Sequence, residues 1–173
     1  MEIRYANTIE DFLIFNEYHC KHSKAVQANI RFYRWWLGIL SFAILFLALQ
    51  LITHGKYFYQ EGIISLSFST IYIIIYPRTF RSTLRRQVLK LVAEGQNKGT
   101  IGEHTLQIEP DGLVEISPFN QSKFLWSGIE RVACTDTHAF IYISALVAHV
   151  VPRASIVSGN FDEFIKTLKT NLP

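Results

Sequence analysis

The chain has 173 residues, of which 49% are hydrophobic and 18% are charged, with 17 Lys and Arg against 14 Asp and Glu. Soluble domains carry about 25% charged residues, so the shortfall indicates blocks of apolar sequence. The length fits one ordinary domain, or a smaller domain with membrane segments, and it excludes a two-domain enzyme. The composition also excludes a disordered chain, a collagen-like repeat and a disulfide scaffold.

The N-terminal part, residues 1–34, is predicted to hold a short strand and a helix in the cytoplasm. Met1–Ala6 alternates apolar and charged residues, which favours an edge strand, and Thr8–Asp11 is typical of a helix N-cap. His19 and His22 could share a metal ion because they lie i, i+3 on this helix. No second pair of ligands follows, so we expect a solvated helix face and no metal site.

Two apolar runs predict a transmembrane hairpin over residues 35–76. Residues 35–52 are 18 positions without a charge, eleven of them Leu, Ile or Phe, and can cross a bilayer. The alternative, a core helix of a soluble protein, would show a polar stripe. The second span, 58–76, carries Glu61 at its outer end, where a carboxylate can reach the headgroups. Small residues on one face of each helix predict a close seam: Gly38, Ser41, Leu45 and Ala48 in the first, Ser65 and Ser69 in the second.

Basic residues at the two outer ends of the hairpin predict its orientation. Four lie within the 14 residues before the first span and five within the 14 residues after the second, whereas the loop between the spans carries only Lys56. By the positive-inside rule, both termini face the cytoplasm. Cys20 and Cys134 then lie in a reducing compartment and are expected to be free thiols.

Residues 77–99 are predicted to form a basic juxtamembrane helix and a linker that begins near Gly95. Its basic residues are the candidate site for a lipid or a partner, since each contributes about 1 kcal/mol near an anionic leaflet. The alternative is that they only set the topology. Nucleic acid is not expected as a partner, because the patch is held at the membrane without a base-stacking pattern. These residues are Arg78, Arg81, Arg85, Arg86 and Lys90.

Residues 100–173 change to an apolar period of 2, which predicts antiparallel strands, beginning with a hairpin about Pro110-Asp111-Gly112. Asn160 is the predicted cap of a final amphipathic helix. The fold class is therefore an α+β membrane protein: a two-helix transmembrane hairpin plus a small antiparallel β domain with a C-terminal capping helix. The other predicted strands are 123–126, 129–135, 139–143 and 146–151.

Catalytic motifs are absent from the sequence: it has no Gly-rich phosphate loop, no nucleophile elbow and no zinc-protease motif. Cys134, Asp136 and His138 are the nearest to a catalytic set, but residues this close along a strand and turn rarely converge. Trp126 could stack on a ligand, although a core position is favoured. We therefore expect no enzyme, no cofactor and no metal.

Several motifs occur in an order that is known from one family. They are Thr8-Ile9-Glu10-Asp11-Phe12, Asp111-Gly112, Trp126-Ser127-Gly128-Ile129, Val132, Tyr142 and Val151-Pro152-Arg153. With the two spans, they resemble the YcxB-like membrane proteins over most of the chain, most closely at 112–164. The resemblance implies a bacterial inner-membrane protein in which residues 100–173 are similar to pleckstrin-homology-like (PH-like) domains.

The leading hypothesis is a non-catalytic inner-membrane protein that presents the PH-like domain to a protein partner or a lipid headgroup. One alternative is an immunity protein that neutralises a toxin acting at the inner membrane, and another is an enzyme using Cys134 or His138. The expected partners are membrane lipids and a protein, either cytoplasmic or a toxin, and a homo-oligomer is a further alternative. Residues 77–100 carry six basic and one acidic residue, while 101–173 carry five and eight, and this polarity favours a protein over the lipid itself.

Overall fold

A computed structural model describes residues 1–95, 99 and 101–172. The chain forms two compact units: a sheet-containing unit of residues 1–19 and 88–173, and a helical unit of residues 20–87. The helices are α1 (Ile9–His22), α2 (Lys24–Thr53), α3 (Phe58–Ala93) and α4 (Phe161–Thr170). The strands are β1 (Glu2–Asn7), β2 (Gly102–Glu109), β3 (Gly112–Ile116), β4 (Gln121–Leu125), β5 (Arg131–Cys134), β6 (His138–Tyr142), β7 (Ala148–Pro152) and β8 (Ile156–Ser158).

The strands form two antiparallel sheets, one in the order β4-β3-β2-β1-β8 and the other in the order β5-β6-β7. The prediction that β1 is an edge strand is wrong, because Ile3 pairs with Leu106 of β2 and Tyr5 pairs with Ile156 of β8. An edge strand and an internal strand with one buried face have the same alternation, so the pattern could not separate them. Residues 1–19 belong to the same compact unit as residues 88–173, and β1 lies within the five-stranded sheet.

The main core lies between the two sheets and is closed by α4. Strand residues from both sheets and four apolar residues of α4 are almost fully buried in one cluster. The predicted cap of α4 is confirmed: the side chain of Asn160 accepts hydrogen bonds from the backbone N–H groups of Asp162 and Glu163. The cluster includes Ile3, Leu106, Leu113, Ile141, Val151, Phe161, Phe164 and Leu168.

Strand β6 is buried on both faces, because α1 covers the outer face of its sheet. Ala139 and Ile141 belong to the main core, whereas Phe140 and Tyr142 pack against Phe15 of α1 in a second cluster. The Phe15 ring centroid lies 5.6 Å from that of Phe140. The N-terminal segment therefore contributes a central strand and a covering helix to the C-terminal sheets.

In the helical unit, α2 and α3 are long and apolar enough to cross a membrane, judged by length and composition. Each contains a predicted span but extends well beyond it. The second span and the juxtamembrane helix are one continuous helix with Pro77 inside. Large apolar side chains on both helices are exposed, as expected of a surface that faces lipid.

The predicted seam of small residues is present where α2 meets α3. A Cβ atom on Gly38 would lie 2.6 Å from Cγ1 of Ile73, so only glycine permits this approach. Ser69 Oγ donates a hydrogen bond of 2.5 Å to the Gly38 carbonyl oxygen, and Ser65 is fully buried. The Ser69 hydrogen bond and a close backbone approach thus hold the two helices together.

Glu61 does not reach outward from the end of its span, contrary to the expectation. It is 3% exposed and accepts a hydrogen bond of 2.6 Å from Gln50 Nε2 and another from Thr53 Oγ1. Both donors belong to the last turns of α2. The carboxylate therefore faces the neighbouring helix.

Candidate binding site

Three titratable residues stand where the apolar pattern of their strands demands a buried side chain. His104 precedes Leu106 by two residues on β2, Glu115 follows Leu113 by two on β3, and His149 precedes Val151 by two on β7. Side chains two apart on a strand share a face, and all three neighbours lie in the main core. The polar residues therefore extend the inner face of both sheets at one end of the core.

The three side chains meet on one carboxylate oxygen. His104 Nδ1 and His149 Nδ1 each lie 3.1 Å from Glu115 Oε1. The exposed fraction of the side chain is 3% for His104, 9% for His149 and 20% for Glu115. Burial raises the pKa of Glu115, but the hydrogen bonds and charges of the two histidines outweigh it and hold the pKa at about 2. Glu115 is therefore ionised at neutral pH.

An ionised carboxylate can only accept hydrogen bonds, so each imidazole donates from Nδ1. This contact also fixes the tautomer and orientation of each ring, as in carboxylate–histidine pairs elsewhere. The opposite nitrogen, Nε2, is buried in both rings and has no hydrogen-bond partner among the described residues. The side-chain oxygen Oδ1 of Asn7 is in the same state. An unsatisfied buried polar atom costs about 1–3 kcal/mol.

Aromatic rings hold the two imidazoles in place. The Tyr5 ring stacks on His104 with centroids 5.7 Å apart, and the Phe124 ring meets His149 edge-on at 5.0 Å. Burial and the charge of Glu115 raise the pKa of Tyr5 well above its usual value, so its phenol stays neutral. Aromatic rings thus pack against both imidazoles of the cluster.

On the other side, the cluster borders a cleft of about 400 Å³. The cleft is lined by both histidines, Glu115, Asn7 and Asn16, and by apolar residues of α1, β4 and the β6–β7 hairpin. This size is within the range of small-molecule sites, which are usually apolar with a few polar groups. The apolar walls include Phe12, Phe15, Phe124, Ile143, Val147 and Val150.

A second histidine cluster involves one residue of the predicted catalytic set. His138 Nε2 lies 2.9 Å from Asp11 Oδ1, and His138 Nδ1 lies 2.8 Å from Thr137 Oγ1. The acid that pairs with His138 is thus Asp11 of α1, and Cys134 is an exposed free thiol. Asp11 Oδ2 accepts hydrogen bonds from the backbone N–H and the hydroxyl of Thr8, so one carboxylate caps α1 and ties it to β6.

Burial raises the pKa of Asp11, but the hydrogen bonds from Thr8 and His138 outweigh it and lower the pKa below its usual value. The contact with His138 therefore joins an ionised carboxylate to the imidazole across a gap of 127 residues in sequence.

The other candidates from the sequence lie outside the cleft. The five basic residues are all exposed on the C-terminal half of α3: Arg78, Arg81, Arg85, Arg86 and Lys90. His19 packs between the Phe15 and Tyr142 rings, and burial and Arg131 lower its pKa. Within the described part of the chain, no group of three or more His, Cys, Asp or Glu is placed to hold a metal. Trp126 packs on the main core, and its Nε1 donates to the Pro110 carbonyl oxygen at 3.1 Å.

Sequence reasoning did not identify His104, Glu115 and His149 as site residues. A signal was present, because each occupies a position where alternation along its strand calls for an apolar side chain. The pattern Leu113-x-Glu115 puts a carboxylate on the buried face of β3, which is costly unless donors compensate it. The two donors come from a neighbouring strand and from another sheet, and no local pattern predicts that contact.

Comparison with known proteins supports one relationship. Residues 108–168 match the family model described as YcxB-like protein. No curated protein and no solved structure matches the chain. The matched segment includes Glu115 and His149 but begins after His104, and it leaves out β1 and α1. Residues 108–168 are therefore similar to the YcxB-like family, in agreement with the resemblance of the motifs at 112–164.

Proposed function

We propose that the chain is a non-catalytic protein of the bacterial inner membrane. In this proposal, α2 and α3 anchor the protein, and the sheet-containing unit is a PH-like interaction domain in the cytoplasm that binds a protein partner. One observation carries the proposal: β1, which precedes the helical unit, is hydrogen-bonded to β2, which follows it.

The pairing of β1 with β2 restricts how residues 20–87 can cross a membrane. Six residues of β1 are in register with six of β2, from Glu2 opposite Gln107 to Asn7 opposite Gly102. Neighbouring strands lie about 5 Å apart, so they cannot pair across a bilayer of about 30 Å. The segments before and after the helical unit are then on the same side, which requires an even number of crossings and fits two apolar helices.

The distribution of basic residues supports the cytoplasmic side. Residues 20–87 contain nine basic residues and one acidic residue, and eight of the nine lie outside the loop that joins α2 to α3. Lys56 is the basic residue in that loop. An excess of Lys and Arg marks the cytoplasmic ends of spans.

Charge also favours a protein as the partner over a lipid headgroup. Residues 1–19 and 88–173 together contain eight basic and thirteen acidic residues. An acidic domain is repelled by the anionic cytoplasmic leaflet, while the basic ends of the spans are attracted to it. The domain surface is therefore suited to a partner in solution.

We propose a non-catalytic role because His138, the candidate catalytic histidine, forms hydrogen bonds within the fold. Both ring nitrogens of His138 have partners, Asp11 and Thr137, so neither is free to take a proton from Cys134. General-base activation of a thiol needs such a nitrogen within hydrogen-bond reach.

Orientation is tested by thiol labelling, since Cys134 is exposed and Cys20 is the other cysteine. In a Cys20→Ser variant, a membrane-impermeant maleimide should label Cys134 only after spheroplasts are permeabilised. The matched reporter places Lys56→Cys in a chain that also carries Cys20→Ser and Cys134→Ser, and it should react in intact spheroplasts. Labelling of Cys134 in intact spheroplasts would overturn the proposed orientation.

Partner class is tested by photo-crosslinking in native membranes. A photoreactive residue at the exposed positions Glu130 or Asp136 should give discrete protein adducts, while the same residue at Lys56 serves as the control. Adducts with lipid alone at Glu130 and Asp136 would contradict a protein partner.

A further inference from the structure

We propose that the cleft beside Glu115 is a binding site for a small organic cation, namely a protonated amine on an apolar body. Its ammonium group is held by Glu115 and by the acceptor atoms of His104, His149 and Asn7. This inference goes beyond the proposed function and needs neither the membrane orientation nor a protein partner.

The hydrogen-bonding capacity of the polar atoms in the cleft matches that of an ammonium group. Glu115 accepts from Nδ1 of both imidazoles, and in the proposed amine-bound state each ring is neutral, with Nε2 as a lone-pair acceptor. Nε2 of His104, Nε2 of His149 and Oδ1 of Asn7 are buried and unpartnered among the described residues, and all three residues line the cleft. An ammonium group carries three N–H donors and no acceptor, which complements such a set.

The charge of the residues that line the cleft also favours a cation. Glu115 is the carboxylate that lines the cleft, and its side chain is 20% exposed. No Lys or Arg is among the lining residues that the structure describes, so in the proposed amine-bound state, with both rings neutral, the polar end carries the one negative charge of Glu115. The surrounding unit is acidic as well. A cation is therefore attracted, and a carboxylate or phosphate is repelled.

The apolar walls define the rest of the ligand. Phe12, Phe15 and Phe124 line the cleft together with aliphatic residues of the β6–β7 hairpin. Aromatic faces attract a cation, and the aliphatic surface favours an apolar body. A volume of about 400 Å³ accommodates a single-ring amine. Metal ions fit less well, because no group of three ligands is assembled within the described residues.

The test uses the full chain in lipid nanodiscs and three probes of one shape: 2-phenylethylamine, 2-phenylethanol and 3-phenylpropionate. Calorimetric titration at pH 7 should show saturable binding of the amine, about tenfold or more tighter than the alcohol, with the carboxylate weakest. Glu115→Gln should lower the affinity for the amine by about 10- to 100-fold, because a hydrogen bond to a charged group is lost. The affinity for the alcohol should change little. Glu103→Gln, which alters an exposed carboxylate on β2, is the matched control.

A second variant keeps the proposal falsifiable if Glu115→Gln does not fold. Val147→Trp enlarges an exposed residue that lines the cleft and should abolish binding of the amine, whereas Val157→Trp enlarges an exposed residue of β8 and should not. Tightest binding of 3-phenylpropionate would overturn the proposal, since the imidazoles would then act as donors. Equal binding of all three probes, or of none, would overturn it too.

Discussion

The carboxylate of Glu115 and the imidazole of His149 meet at 3.1 Å although they belong to different sheets. Together with His104, the pair occupies the end of an otherwise apolar layer between those sheets. The contact converts a costly inward-facing carboxylate into an ionised group with two donors. It also leaves two imidazole nitrogens beside a cleft without partners among the residues that the structure describes, and these atoms are the chemical basis of the proposed amine site.

The low pKa of Glu115 predicts a pH-dependent contribution to stability. In the folded state the pKa is about 2, below the usual value of 4.5, so the folded form binds this proton less readily than the unfolded form. The stabilisation is therefore complete above pH 4.5 and is lost as the pH falls towards 2. Thermal unfolding can be followed by near-ultraviolet circular dichroism. The difference in melting temperature between wild type and Glu115→Gln should become smaller as the pH falls over this range. A difference in melting temperature that stays constant down to pH 2 would contradict the assignment. Glu103→Gln, at an exposed carboxylate, is the control variant.

The contact between Asp11 and His138 predicts which acid matters for folding. Asp11→Asn removes a charged acceptor from His138 and from Thr8, so it should lower the free energy of unfolding by about 1–3 kcal/mol. Asp136→Asn changes the exposed acid nearest to His138 in sequence and should stay within about 0.5 kcal/mol. Chemical denaturation of the purified protein measures both. An equal loss in the two variants would mean that the Asp11 contact does not stabilise α1 on β6.

The close approach at Gly38 predicts a sharp contrast between two glycines of the helical unit. Gly38→Ala places a methyl group within 2.6 Å of Ile73 Cγ1, whereas the nearest atom to a Cβ on Gly62 is 4.0 Å away. Gly38→Ala should destabilise the pairing of α2 with α3 by about 1–3 kcal/mol through overpacking. Gly62→Ala should be neutral or slightly stabilising, because alanine favours a helix. The two variants can be compared by measuring their resistance to unfolding in a denaturing detergent. Similar resistance in both would contradict a tight seam at Gly38.

The central position of β1 predicts that the C-terminal segment of residues 100–173 is not sufficient to fold. A fragment of residues 100–173 lacks Ile3 and Tyr5, which are buried in the core, and it exposes the edges of β2 and β8. It should give a poorly dispersed amide NMR spectrum. Residues 1–19 joined by a flexible linker to residues 88–173 should give a dispersed one. A well-dispersed spectrum from residues 100–173 alone would show that β1 is dispensable.

The basic residues of α3 predict an effect on orientation. Replacing all five with Gln leaves Lys56 in the loop and removes the charge that follows the second span, so the Cys134 reporter should become partly accessible in intact spheroplasts. Lys166→Gln with Lys169→Gln, on α4, is the control and should leave the reporter protected. An unchanged labelling pattern in the five-fold variant would assign these residues a role other than topology. The five are Arg78, Arg81, Arg85, Arg86 and Lys90.

Local patterns in the sequence were enough to predict several elements correctly. The apolar runs, the turn at Pro110-Asp111-Gly112 and the Asn160 cap each depend on residues within a few positions of one another, or on an uninterrupted stretch. Such signals arise from backbone sterics, capping and hydrophobic period, which act over short separations along the chain. Alternation in β2, β3 and β7 also indicates the site, because three polar residues occupy inward positions: His104, Glu115 and His149.

The tertiary structure decided which residues far apart in sequence are in contact. The place of β1 between β2 and β8, the pairing of Asp11 with His138, and the meeting of Glu115 with a histidine from another sheet each depend on how the sheets and α1 pack. Ile3 and Tyr5 would alternate identically at an edge or inside a sheet, and Asp136 lies nearer to His138 in sequence than Asp11 does. Composition and period by themselves determined that the chain has two apolar helices and an antiparallel β part. The partners of its buried charges followed only from the fold, because burial makes a compensating contact necessary but does not specify which residue supplies it.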